Sequence, residues 1–118
     1  MKIKKISFES FKKIMSYNIS ENFMIGKNSC IEIEFDIDNS DIYQISWMGK
    51  MIDIDTEKEV YWFGLSEDGS QAYSYSTFEE FIDEKIFYGE KSLKEIWLLV
   101  SIFSIDACDL EERLPYYL

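Results

Sequence analysis

The chain is 118 residues long, 47% hydrophobic and 17% aromatic, with 23 acidic side chains against 12 basic ones, a formal charge of −11 and no histidine. That is the length of one domain, and it holds too much aromatic and branched material for a disordered chain. A surface this negative repels nucleic acid and anionic membranes and attracts cationic proteins from a distance.

The first thirteen residues run against the trend, with Lys2, Lys4, Lys5, Lys12 and Lys13 facing Glu9 alone. Charges interrupt every apolar pair there, so the segment lacks the apolar block of a secretory signal. Ser7 is a capping residue, and Phe8, Phe11, Ile14 and Met15 recur on one helical face. The spacing predicts a helix ending near Tyr17 and Asn18.

Next, Ile31, Ile33, Phe35 and Ile37 alternate with Glu32, Glu34, Asp36 and Asp38 without a break. A period of two sends the apolar side chains to one sheet face and the carboxylates to the other. Asn39 and Ser40 predict a turn into a second strand over Ile42 to Met48. Gly49 reads as a bulge or bend before Met51 to Asp55, where Ile52 and Ile54 alternate with Asp53 and Asp55. Thr56 to Lys58 turn into a third strand, Val60 to Leu65. Glu67, Asp68 and Gly69 turn into a fourth, Gln71 to Ser76.

The period then lengthens. Thr77 and Glu80 form a capping box ahead of Phe78, Phe81 and Ile82. Ser92 and Glu95 form another, with Leu93, Ile96, Trp97 and Val100 at core-facing helical spacing. Ile102, Phe103 and Ile105 predict a final short strand, and the tail from Asp109 a single turn. The sum is a single α+β domain spanning 1–118: an N-terminal helix, an antiparallel β-meander of about four strands, two helices and a short final strand.

Few residues suggest chemistry. Without histidine the chain lacks the commonest general base and neutral zinc ligand. No phosphate-cradling glycine motif occurs. Asp36, Asp38, Ser40 and Asp41 superficially match a calcium loop, but its sixth and twelfth positions would be Asp41 and Trp47, where glycine and glutamate are needed. Asp106, Asp109, Glu111 and Glu112 offer only weak, unselective cation binding. Glu32 and Glu34 stand about 7 Å apart by strand rise, as in any acidic strand, so the pair does not single out a glycosidase. Cys30 and Cys108 lack a CxxC spacing and read as reduced thiols, a bridge between them being the alternative. The longest apolar run, Ile96 to Val100, is too short to cross a bilayer. The expectation is a cytoplasmic protein that is not an enzyme, with no cofactor and no metal.

What remains is the acidic sheet face. Glu32, Glu34, Asp36 and Asp38 beside Asp53 and Asp55 predict one negative patch. Any half-exposed strand needs polar residues, but like charges on neighbouring positions repel, and Thr, Ser or Gln would solvate the face more cheaply. Trp47, Tyr73 and Tyr75 are candidate anchors for a partner, being large, stiff and half polar. Trp62 and Phe63 read as core.

With the segments YWFGLSEDGSQAYSYSTFEEFI and SLKEIWLLVSIFSIDACDLEERLPYYL, this small, acidic, histidine-free chain resembles the immunity proteins of bacterial polymorphic and contact-dependent growth inhibition toxin systems. The resemblance implies a basic protein partner, often a toxin nuclease domain, whose active site or substrate groove is covered in a one-to-one complex. It implies no direct nucleic-acid or membrane contact, and a monomer or weak homodimer. The alternatives are a nucleic-acid mimic directed at another DNA- or RNA-binding protein, and a small ligand-binding or enzymatic domain.

Overall fold

The computed structural model describes residues 4–19, 30–39, 46–53, 55–66, 69–87 and 90–118. At the N-terminus, the Ser7 hydroxyl accepts the Ser10 N–H at 3.0 Å, satisfying a donor that a helix start leaves free. The helix, α1, runs Phe8–Met15 and closes at Ser16. Glu9 lies in its first turn and Lys12 and Lys13 in its last, the order that the helix dipole favours.

The alternating segment forms β1 (Cys30–Ile37), followed by β2 (Ser46–Ile52), β3 (Glu59–Gly64) and β4 (Ala72–Tyr75) as an antiparallel meander. The last strand, β5 (Val100–Ile105), returns to the far side of β1, so the sheet order is β4-β3-β2-β1-β5. All pairs are antiparallel, with one irregularity opposite Glu34 and Phe35 of β1. Ile31, Ile33, Phe35 and Ile37 are buried on one face with Met48, Phe63, Ile102 and Ile105. Three helices add Phe11, Ile14 and Met15, then Phe81 and Ile82, then Leu110 and Tyr117 to this one core.

Three local expectations change. First, β2 runs unbroken through Gly49. A Cβ on Gly49 would lie 1.8 Å from the Ile31 carbonyl oxygen, so this glycine marks a close approach of backbone rather than a bend. The expected strand residues Ile42–Ile45 and Ile54, the turn residues Ser40, Glu67 and Asp68, and Asp41 of the calcium-loop comparison lie outside the described residues.

Second, the Thr77 box opens a true helix, α2 (Phe78–Asp83), but the Ser92 box does not. Ser92 and Glu95 do exchange their two bonds, Ser92 N–H to Glu95 Oε1 at 3.0 Å and Glu95 N–H to Ser92 Oγ at 3.2 Å. The chain then makes turns and a 3₁₀ segment, Trp97–Leu99, before entering β5. Long-range contacts win there. The Trp97 indole N–H donates to the Ile6 carbonyl at 2.9 Å, its ring sits 4.5 Å from that of Phe11, and the Asp38 N–H donates to the Leu99 carbonyl at 2.7 Å.

Third, the tail forms two turns of helix, α3 (Leu110–Tyr117), with Pro115 inside it. Side chains hold it where proline removes a backbone donor. Arg113 Nε donates to Asp106 Oδ2 at 3.0 Å, and the Tyr117 hydroxyl donates to the same oxygen. Asp106 also clamps β1: its Oδ1 accepts the Glu32 N–H at 3.0 Å, and its own N–H donates to the Glu32 carbonyl at 2.7 Å.

Candidate partner-binding face

The sheet face turned away from the core carries Cys30, Glu32, Glu34 and Asp36 from β1. Strand register aligns them with β2 and β3. Glu34 lies across from Trp47 and then Gly64, Glu32 across from Gly49 and then Trp62, and Cys30 across from Met51 and then Val60. None of these residues belongs to the core cluster. Trp47 is 37% exposed and Met51 43% exposed. The result is an ordered aromatic and apolar surface with two carboxylates at its centre.

Those two form no ion pair among the described residues. Glu34 accepts the Ser104 hydroxyl at 3.3 Å, and the Cys30 thiol approaches Glu32 Oε1 at 3.9 Å, but no lysine or arginine pairs with either among the described residues. Other acids are held elsewhere: Asp38 by Lys5, Glu59 by Lys50, Glu95 by Lys85 and Asp106 by Arg113.

The six expected patch acids are therefore not one patch. Asp38 is neutralised by the N-terminal segment: it accepts from Lys5 Nζ at 2.5 Å and from the Ser101 hydroxyl at 2.6 Å. These bonds hold its carboxyl below the usual range. Burial raises the carboxyl of Asp36, aided by Asp38 and opposed by Lys4 and Lys5, and its Oδ1 is buried without a donor. Asp53 builds the β2–β3 turn, where its carboxylate accepts the Asp55 N–H at 3.1 Å and the Thr56 hydroxyl at 3.2 Å. Asp55 is exposed in that same turn, beyond the end of β2.

The expected tyrosine anchors also move. Tyr73 and Tyr75 pair across from Phe63 and Tyr61, so they point to the helix side and pack against the core. The Tyr75 ring sits 6.4 Å from that of Phe81. Burial and the nearby Glu84 push its hydroxyl up to about 12. Trp62 was expected in the core and instead lies on the open face, its indole N–H buried without an acceptor. The signal was present in the sequence: Trp62 and Phe63 are adjacent in a strand and cannot share a face.

Reactive groups are muted. The Cys30 thiol is raised by burial and by the neighbouring Glu32 and Asp106 carboxylates, so it resists ionising. Cys30 and Cys108 are both free thiols. An apolar groove of about 600 Å³ is lined by Lys5, Ile6, Ser7, Phe8, Trp97 and Leu98, and it contains no carboxylate side chain. Among the described residues no group of acids and cysteines has metal-binding geometry, and no helix is long and apolar enough to cross a membrane. Comparison of the chain with protein-family models, with curated proteins and with solved structures finds no match.

Proposed function

We propose that this protein is a non-catalytic binding module that captures a basic protein on its open sheet face, in the manner of an immunity protein neutralising a cationic toxin domain such as a nuclease. The observation that carries the reading is the pair Glu32 and Glu34, ordered on an interior strand, unpaired with any cation among the described residues, and flanked by the exposed indole of Trp47 and the half-buried one of Trp62. Charge speeds the encounter, and desolvated aromatic anchors slow the release. In this reading the carboxylates stand where the toxin expects substrate phosphates, and the complex forms in the cytoplasm.

The partner is to be sought in the product of the adjacent reading frame, by co-purification. With that partner in hand, the double substitution Glu32→Lys with Glu34→Lys is expected to weaken binding by about 100-fold or more, while Asp53→Lys with Asp55→Lys leaves it within a few-fold. Equal affinity for the first pair and the parent, with the fold intact by circular dichroism, would remove this face from the account.

A further inference from the structure

We infer that the central group this face takes from its partner is the guanidinium of an arginine. The inference rests on the protein-binding reading and names the chemistry of its principal contact.

Two glycines shape the face. In one cross-strand row Glu32, Gly49 and Trp62 lie side by side, and in the next Glu34, Trp47 and Gly64. Each row thus offers one carboxylate, one indole and one position with no side chain. The Trp62 ring lies along this floor: its Cζ2 is 3.3 Å from where a Cβ on Gly49 would be, and its Cζ3 is 3.9 Å from the same point on Gly64. Trp47 Cβ stands 4.0 Å from the Gly64 position on the other side. Neighbouring strands are about 4.8 Å apart, so a flat group stacked on the Trp62 ring, which packs over both glycines, reaches the Glu32 side chain beyond Gly49.

Carboxylates alone do not discriminate between cations. The indoles and the flat floor do. A guanidinium is planar, weakly hydrated and stacks on aromatic faces while its fork meets a carboxylate. A lysine ammonium is a compact, strongly hydrated point charge with no plane to lay against a ring. The free Glu32 and Glu34 give the site its sign, and Trp47 and Trp62 give it its shape.

The test uses the full chain, labelled with nitrogen-15, and two probes of equal charge: a blocked hexapeptide alternating arginine with glycine, and its lysine counterpart. Titration at low salt is followed at the indole N–H signals and at the amides of Glu32, Glu34 and Gly49. The arginine peptide is expected to shift these signals saturably and bind several-fold tighter than the lysine peptide. Gly64→Leu has room for its Cβ at ordinary contact distance and covers the floor. It is expected to abolish the preference while leaving lysine-peptide binding unchanged. Trp62→Leu, which removes the plane instead of covering it, is expected to weaken the arginine peptide more than the lysine peptide and so to narrow the gap between them. Equal affinities with shifts confined to this face overturn the arginine assignment and leave the protein-binding reading standing. No shift on this face with either peptide overturns both.

Discussion

Lys50 shows how a single side chain can carry an energetic liability. It sits on the core side of β2, 1% exposed, its amine 3.1 Å from the Glu59 carboxylate and 5.8 Å from the Tyr61 ring centroid. Burial lowers its pKa below the usual lysine value, and Glu59 only partly restores it. The unfolded chain therefore binds that proton more readily, so the position destabilises the fold at neutral pH. The penalty is relieved as pH climbs through the lowered folded value towards the unfolded one of about 10.5. Replacing the pair together, Lys50→Met with Glu59→Met, is expected to raise stability by about 1–2 kcal/mol at pH 7, with the gain shrinking by pH 10, read as the difference in urea unfolding between variant and parent. This residue was not legible from its type, because a lysine in a strand reads as a solvent-facing position. Only its parity with Met48 places it inside.

Between elements, one carboxylate joins the end of the chain to the strand that bears the candidate site. Asp106 holds Arg113 and Tyr117 of α3 on one oxygen and the Glu32 backbone on the other, from a left-handed conformation with φ of 54°. Asn tolerates that conformation, so Asp106→Asn isolates the lost charge from backbone strain. It is expected to cost about 1–2 kcal/mol and to speed amide exchange at Glu32 by hydrogen-exchange NMR. The meander was legible because its period-two pattern and turn residues act locally. So was α2, whose capping box and apolar spacing agree. The Ser92 segment misled because its capping box is local whereas the needs of Trp97 and of the β1 edge are not. Likewise the acids of β1 were correctly placed on one face, but the lysine that neutralises Asp38 lies 33 residues upstream, a distance no window on the sequence spans.

At the scale of the molecule, the charge of −11 acts unevenly. The N-terminal lysines offset one end of the acidic row: Lys5 binds Asp38, and Lys4 lies 4.8 Å from the Phe103 ring. What remains includes the ordered pair Glu32 and Glu34, with longer-range support from the other acids. Association with a basic partner is therefore expected to slow by about tenfold or more as ionic strength rises from 0.01 to 0.15 M, while the dissociation rate stays nearly constant, a pair of trends that stopped-flow fluorescence of the tryptophans resolves. The same sheet order has a consequence for synthesis. β1 lies next to the edge strand, yet its outer neighbour is β5, which leaves the ribosome more than sixty residues after β1 ends. Throughout that interval the outer edge of β1 is open to any passing strand. The three outward carboxylates Glu32, Glu34 and Asp36 make a second copy of β1 a poor neighbour, since identical strands would set like charges side by side. The acidic alternation thus guards the nascent chain against pairing with its own copies.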